Sequence, residues 1–281
     1  MKRGLLLILI LTASFCGLSY SVAQIVSLPN ETINNDSVRR EFDKGPYFTL
    51  YKNNYFVFGG PIGYTPTKSN TNVKFQISIS QKITKSTLPW NTYLYLFYSQ
   101  KVFWNVLEDS MPMTDLNFNP GIGWMKPLFW RNRYIGKAGV ILEHESNGKD
   151  GEASRSWNKL SFTGNIIIDP TLMVHAKFWV PIIDGVNNKD ILKYCGLYQT
   201  GVEYMTPNKR FIASVTMSKR LSWKPDYNTT LELSFRIWKN QNQYFFLQYY
   251  NGYGEGLLDY KQFHSQLRVG IVIRPVLFSE Y

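Results

Sequence analysis

Charge is scarce in this chain. Only 18% of its 281 residues are Asp, Glu, Lys or Arg, against about 25% in an ordinary soluble domain. With 44% hydrophobic residues, that composition excludes a disordered polypeptide. Basic clusters are missing too: the net charge is +11, yet Lys and Arg come mostly singly or in pairs such as Arg39-Arg40. A nucleic-acid binder concentrates its cations, so polyanion binding through a basic patch is disfavoured. Cysteine is nearly absent, with only Cys16 and Cys195. Finally, no apolar run beyond Ala23 approaches the ~18 residues that a membrane-spanning helix requires, which excludes a helical membrane protein.

What the chain does have is aromatic residues, 16% of the total, and two kinds of pattern. The first is at the start. Lys2 and Arg3 precede an apolar run from Gly4 to about Phe15, and Ser21-Val22-Ala23 follows. A positive segment, a short apolar core and small residues at the end describe a signal peptide over residues 1–23. The run is too short for an anchor helix, and Phe15 ahead of Cys16 disfavours lipoprotein processing. With Lys2 and Arg3 removed the charge falls to +9, and Cys195 alone remains, so no intrachain disulfide can form. Residues 24–45, polar and rich in Asn, read as a periplasmic arm of uncertain order ahead of the main domain at 46–281.

The second pattern is period-2 alternation. Val73, Phe75, Ile77 and Ile79 share one parity, with Lys74, Gln76, Ser78 and Ser80 on the other. Leu231, Leu233, Phe235 and Ile237, then Leu267, Val269, Ile271 and Ile273, repeat the theme. Twelve such segments are expected, roughly 46–59, 72–84, 92–104, 115–129, 134–146, 156–168, 171–183, 194–205, 209–219, 229–239, 242–252 and 263–275. Each is about ten residues long, the length of a tilted membrane strand. The number is even, and most connections on one side are short (Asp169-Pro170, Asn240-Gln241) while those on the other are long. This is the pattern of an all-β, twelve-stranded antiparallel transmembrane barrel of the bacterial outer membrane. Aromatics near strand ends (Phe103, Trp104, Phe129, Trp130, Tyr204, Tyr249, Tyr250) suit interfacial girdles, and the closing Leu277-Phe278-Ser279-Glu280-Tyr281 suits outer-membrane assembly. A soluble all-β domain is the alternative.

One constellation carries chemistry. Parity puts Ala138, Val140, Leu142, His144 and Ser146 on one face of the fifth expected strand, and Asn158, Leu160 and Phe162 on the same face of the sixth. A hairpin centred near Gly151 sets His144 opposite Asn158. Polar residues facing hydrocarbon are costly and need a reason. Ser as nucleophile, His as general base and Asn to orient the imidazole supply one; an interfacial polar collar supplies another, and parity does not choose between them. On the inward parity Glu143 and Lys159 can pair, and Trp157, Trp238 and Phe246 would fill the lumen, disfavouring a channel. His175, His264 and Cys195 lack partner motifs and read as structural.

These residues carry a resemblance. His144-Glu145-Ser146-Asn147-Gly148 and Ser154-Arg155-Ser156-Trp157-Asn158, five residues apart, resemble the signature of the outer membrane phospholipase A family. The likeness extends to Val73-Lys74-Phe75-Gln76, to Lys193-Tyr194 with Gly196 and Tyr198-Gln199, and to Gly252-Tyr253-Gly254-Glu255 with Asp259-Tyr260. It implies a catalytic triad of Ser146, His144 and Asn158, with the Gly148 N–H in the oxyanion hole. It also implies Ca2+ held by the Ser154 hydroxyl and the Lys149 carbonyl, where the family has Arg, with Ser110 contributed across a homodimer. The implied activity is A1/A2-type hydrolysis of phospholipids and lysophospholipids, with the site toward the outer leaflet. A non-enzymatic barrel (small channel or adhesin) and a soluble secreted esterase are the rival expectations.

Overall fold

A computed structural model describes residues 35–131, 133–182, 185–239 and 241–275. The expected signal peptide and the C-terminal aromatic segment lie outside the described residues. The strands are β1 (Phe48–Leu50), β2 (Asn54–Pro61), β3 (Asn72–Lys82), β4 (Tyr93–Trp104), β5 (Met113–Trp130), β6 (Arg133–Ser146) and β7 (Ser156–Asp169). They continue with β8 (Leu172–Ile182), β9 (Tyr198–Met205), β10 (Phe211–Lys219), β11 (Tyr227–Arg236), β12 (Gln243–Tyr253) and β13 (Phe263–Ile273). Helices are α1 (Asn35–Lys44) and the single turn α2 (Leu192–Cys195).

Each strand from β2 onward pairs antiparallel with its neighbour, and β13 pairs back onto β2, so the sheet closes. β1 and β2 lie end to end along the same edge of β3, facing residues 79–81 and 72–76 respectively. They are two pieces of one interrupted strand, and the barrel is therefore twelve-stranded. At the break the Asn54 side chain replaces the missing rungs: its Nδ2 donates to the Ser78 carbonyl at 2.9 Å and its Oδ1 accepts from the Ser78 N–H at 2.8 Å. No described helix is long and apolar enough to cross a membrane.

Alternation sorts the side chains as parity requires. Leu142 (51% exposed) and Phe162 (45%), with Leu233 and Val269, stand on the outer wall, whereas Lys74, Ser78, Asn117, Glu143, Ser161 and Arg268 are buried inside. An apolar outside around a polar inside is the arrangement a barrel in lipid needs. The connections are asymmetric as expected. Asp169 ties off a tight turn by accepting from the Thr171 N–H and Oγ at 2.7 Å each, while the opposite end carries the long loops 62–71, 105–112, 147–155, 185–197 and 254–262.

The arm before residue 46, whose order the sequence leaves open, is described from Asn35: α1 closes the turn end of the barrel, with Phe42 buried against Tyr93 and Tyr134. Its C-terminal carbonyls, which lack helical partners, are capped by Lys82, whose Nζ donates to the Phe42 carbonyl at 2.7 Å and to Gly45 just beyond at 2.8 Å. Trp238 does not fill the lumen; it lies past the end of β11 and is 60% exposed, whereas Trp157 and Phe246 are buried inside. Phe103 and Tyr250 face the interior rather than the girdle, because both share the inward parity of their strands.

Candidate active site

β6 and β7 form the hairpin that matters. Val140 opposes Phe162, Leu142 opposes Leu160, His144 opposes Asn158 and Ser146 opposes Ser156. The facing pairs thus run up the outer wall from apolar to polar, with the polar pair His144–Asn158 followed by Ser146 at the loop end. His144 Nδ1 and Asn158 Oδ1 are 2.8 Å apart. With Nδ1 carrying the proton, the imidazole is fixed in one tautomer and Nε2 keeps its acceptor lone pair. Ser146 lies two residues from His144, on the same face. The arrangement puts a hydroxyl, an oriented imidazole and an amide on a half-buried patch of a lipid-facing wall.

The backbone under His144 is held from the other side. The register that pairs Phe118 with Ser146 and Gly121 with Glu143 puts Pro120 opposite His144, and proline has no N–H to offer. The Asn119 side chain compensates, its Nδ2 donating to the His144 carbonyl at 2.9 Å and to Glu143 at 3.2 Å. Sequence reading missed Asn119. Proline within a strand was the available signal, since it leaves a carbonyl needing another donor.

Inward neighbours of the site form an ionic cluster, with pairing that differs from expectation. Glu143 and Lys159 are opposed in register, but Lys159 pairs with Glu145 at 2.8 Å and Glu143 with Lys177 at 2.8 Å. Glu145 also accepts from Trp157 Nε1 at 3.0 Å, and Glu143 from Ser161 Oγ at 2.5 Å. Lys159 and Glu145 are diagonal neighbours on adjacent strands, within reach of long side chains, while Lys177 reaches Glu143 across β7 from β8, so each carboxylate has its own ammonium. His175 is buried beside Gly201, and His264 pairs with Asp259 at 2.9 Å. Cys195 is half-buried and packs beside the aromatic cluster of Trp157 and Trp179.

The loop at 147–155 is organised by Asn147, another residue that carries no chemistry in the expected triad although it lies within the motif. Its Nδ2 donates to the Ala153 carbonyl at 2.8 Å, and its Oδ1 accepts from the N–H of Arg155 at 2.9 Å and of Lys149 at 3.4 Å. Gly148 adopts φ +65°, and a Cβ there would lie 2.8 Å from Phe118, so glycine is required on both counts. Lys149 and Ser154 sit on this one tied loop, half-buried. A serine hydroxyl and a backbone carbonyl are neutral oxygen donors, and such a set fits a hard cation. Among the described residues no group of three or more His, Cys, Asp and Glu could hold a metal ion. Ser110 lies on a different connection, the 105–112 loop, exposed and at φ +67°.

The family model of phospholipase A1 matches residues 47–273. Phospholipase A1 of Escherichia coli strain K12 is 30% identical over 209 residues, covering 73% of this chain and 70% of that protein. The solved structure of outer membrane phospholipase A from Escherichia coli superposes with a TM-score of 0.71 at 25% identity, covering 81% of this chain and 98% of that one. A Salmonella typhi outer membrane phospholipase, solved as a dimer with bound calcium, superposes at 0.73 with 24% identity, covering 85% and 97%. A family match over most of the length, a hairpin bearing Ser, His and Asn on the outer wall, and a closed twelve-stranded barrel agree: the chain belongs to the phospholipase A1 family of outer-membrane ester hydrolases.

Proposed function

We propose that the barrel hydrolyses acyl esters of phospholipids and lysophospholipids in a calcium-dependent reaction at the Ser146–His144–Asn158 patch. The observation that carries the reading is the 2.8 Å contact between His144 Nδ1 and Asn158 Oδ1 on the lipid-facing wall; a polar collar has no need of an oriented imidazole. Ser146 Oγ attacks the ester carbonyl carbon as His144 Nε2 takes its proton. The negative charge that develops on the carbonyl oxygen is met by the Gly148 N–H. Collapse expels the lysophospholipid alkoxide, which takes the proton from His144. Water, deprotonated by His144, then attacks the acyl-serine and releases the fatty acid. Asn158 holds the tautomer throughout; being neutral, it leaves no carboxylate buried at the lipid boundary.

The donor set at Lys149 and Ser154 fits Ca2+, and Ser110 from a second copy would complete it in a homodimer; a Salmonella typhi outer membrane phospholipase is a dimer with bound calcium. When bound there, the ion would supply positive charge that stabilises the developing oxyanion. The long loops, the triad and these donors share one end of the barrel, which we assign to the outer leaflet. Ser146→Ala is expected to abolish calcium-dependent fatty-acid release from phospholipid in detergent while the heat-modifiable mobility of the folded barrel is retained. Chelator should do the same to the parent protein. Undiminished turnover in Ser146→Ala would overturn the nucleophile assignment.

A further inference from the structure

β7 begins at Ser156, and what meets it there on the β8 side is a side chain. β8 is paired with β7 as far as Asn158 opposite Ile182. Arg155 turns its backbone toward β6, donating its N–H to Asn147 Oδ1 at 2.9 Å and accepting from the Asn147 N–H at 3.0 Å. Backbone groups alternate sides along an extended chain, so those of Ser156 point toward β8. There Asn188 engages both: its Oδ1 accepts from the Ser156 N–H at 3.2 Å and its Nδ2 donates to the Ser156 carbonyl at 2.8 Å. A primary amide carries one acceptor and one donor face, as a peptide group does. Asn188 thereby supplies the rung a neighbouring strand would supply, the device already seen where Asn54 spans the break before β2.

The site is built for this. Asn188 is 0% exposed. A Cβ on Gly185 would lie 2.0 Å from Asn188 Oδ1 and 2.5 Å from the Ser156 carbonyl oxygen, so a larger residue there displaces the amide. The adjacent Asn187 donates Nδ2 to the Gly151 carbonyl at 2.7 Å. The loop itself is bolted to the barrel mouth: Ile191 is buried among Trp157, Trp179, Leu257 and Tyr260, and Asp190 pairs with Lys261 at 2.9 Å. The 185–191 segment thus reaches the 147–155 loop at Gly151 and β7 at Ser156.

We propose that Asn188 is a positioning residue for the hydrolytic site. By fixing Ser156, it sets the Ser154 hydroxyl two residues before it and the Asn158 amide two residues after it. The inference rests on the reading of Lys149 and Ser154 as cation donors. Its test uses the full chain in detergent. Calcium binding is measured by isothermal titration in a Ser146→Ala background, where no turnover interferes, and the calcium dependence of phospholipid hydrolysis is measured with Ser146 present. Asn188→Ala should weaken calcium binding about 10-fold and raise the half-maximal calcium concentration by the same factor. KM for phospholipid should stay unchanged at saturating calcium, as should the heat-modifiable mobility. If that variant fails to fold, Asn187→Ala, which removes only the exposed tie to Gly151, should shift calcium binding in the same direction by less. Calcium affinity equal to that of the parent in the folded variant overturns the inference. A parent protein that binds no calcium overturns the donor assignment and this inference together.

Discussion

At the scale of the residue, the proposed reaction would depend on one hydrogen bond between directly opposed strands, His144 Nδ1 to Asn158 Oδ1. Asn158 neither reacts nor shares a proton, so its removal leaves nucleophile and base in place but frees the imidazole to rotate. Misplacing a catalytic group by about 1 Å costs on the order of 10²-fold in rate. Asn158→Ala is therefore expected to lower kcat by about that factor, short of the complete loss expected of Ser146→Ala, with fatty-acid release as the measurement. Full activity would return Asn158 to a purely structural place. The same residue type recurs in supporting positions. Asn54, Asn119, Asn147 and Asn188 each use an amide to satisfy backbone groups that no strand reaches. An unpaired polar backbone group away from water is expensive, and an amide satisfies it without importing charge.

At the scale of the element, the 254–262 loop acts as an internal strut. Leu257 and Tyr260 are buried against Trp157 and Trp179, and Glu255 is clasped by Arg268 Nη1 at 2.6 Å and Lys74 Nζ at 3.0 Å. Burial opposes ionisation of Glu255, but the Arg268 guanidinium and then the Lys74 ammonium outweigh it and hold the carboxyl below its ordinary value of 4.5. A carboxylate whose folded pKa is depressed adds stability that is present above its unfolded pKa and is lost as pH falls through the folded one. The cluster should therefore hold at neutral pH and fail only in strong acid, below about pH 4. Glu255→Gln leaves two buried cations without their counter-charge, a change that costs about 3–5 kcal/mol. Its unfolding midpoint in denaturant, followed by loss of heat-modifiable mobility, should drop at pH 7, and the difference from the parent should shrink in acid. An unchanged midpoint would show that the strut is held by its aromatics alone.

At the scale of the whole molecule, the fold is inverted relative to a soluble protein. The outer wall is apolar and the lumen holds the ions, so in the proposed reaction substrate would meet the Ser146–His144–Asn158 patch from lipid rather than from water. Scarce charge and abundant aromatics in the composition follow from that inversion. A patch on an open wall has only one side, and the expected donor Ser110 lies on a separate loop, which favours completion by a second copy. If the active form is a homodimer, specific activity at fixed saturating calcium must rise with protein concentration before it levels off. Specific activity that is constant at every dilution would mean that the monomer is competent.

Sequence alone determined which face each strand turns to lipid, because the side-chain period of two is a property of the extended chain itself. The same rule made the pairing of His144 with Asn158 legible, since a single hairpin with a nine-residue loop joins them. Parity could say that Glu143, Glu145 and Lys159 point inward, yet not which ammonium each carboxylate takes. Lys159 reaches the diagonal Glu145, and Lys177 reaches Glu143 from β8, two strands away. Nor could it show that α1 closes the turn end, that Trp238 lies beyond the lumen, or that Asn188 braces Ser156 from 32 positions away. Those contacts join segments with no fixed register to one another, so only closure of the barrel decides them.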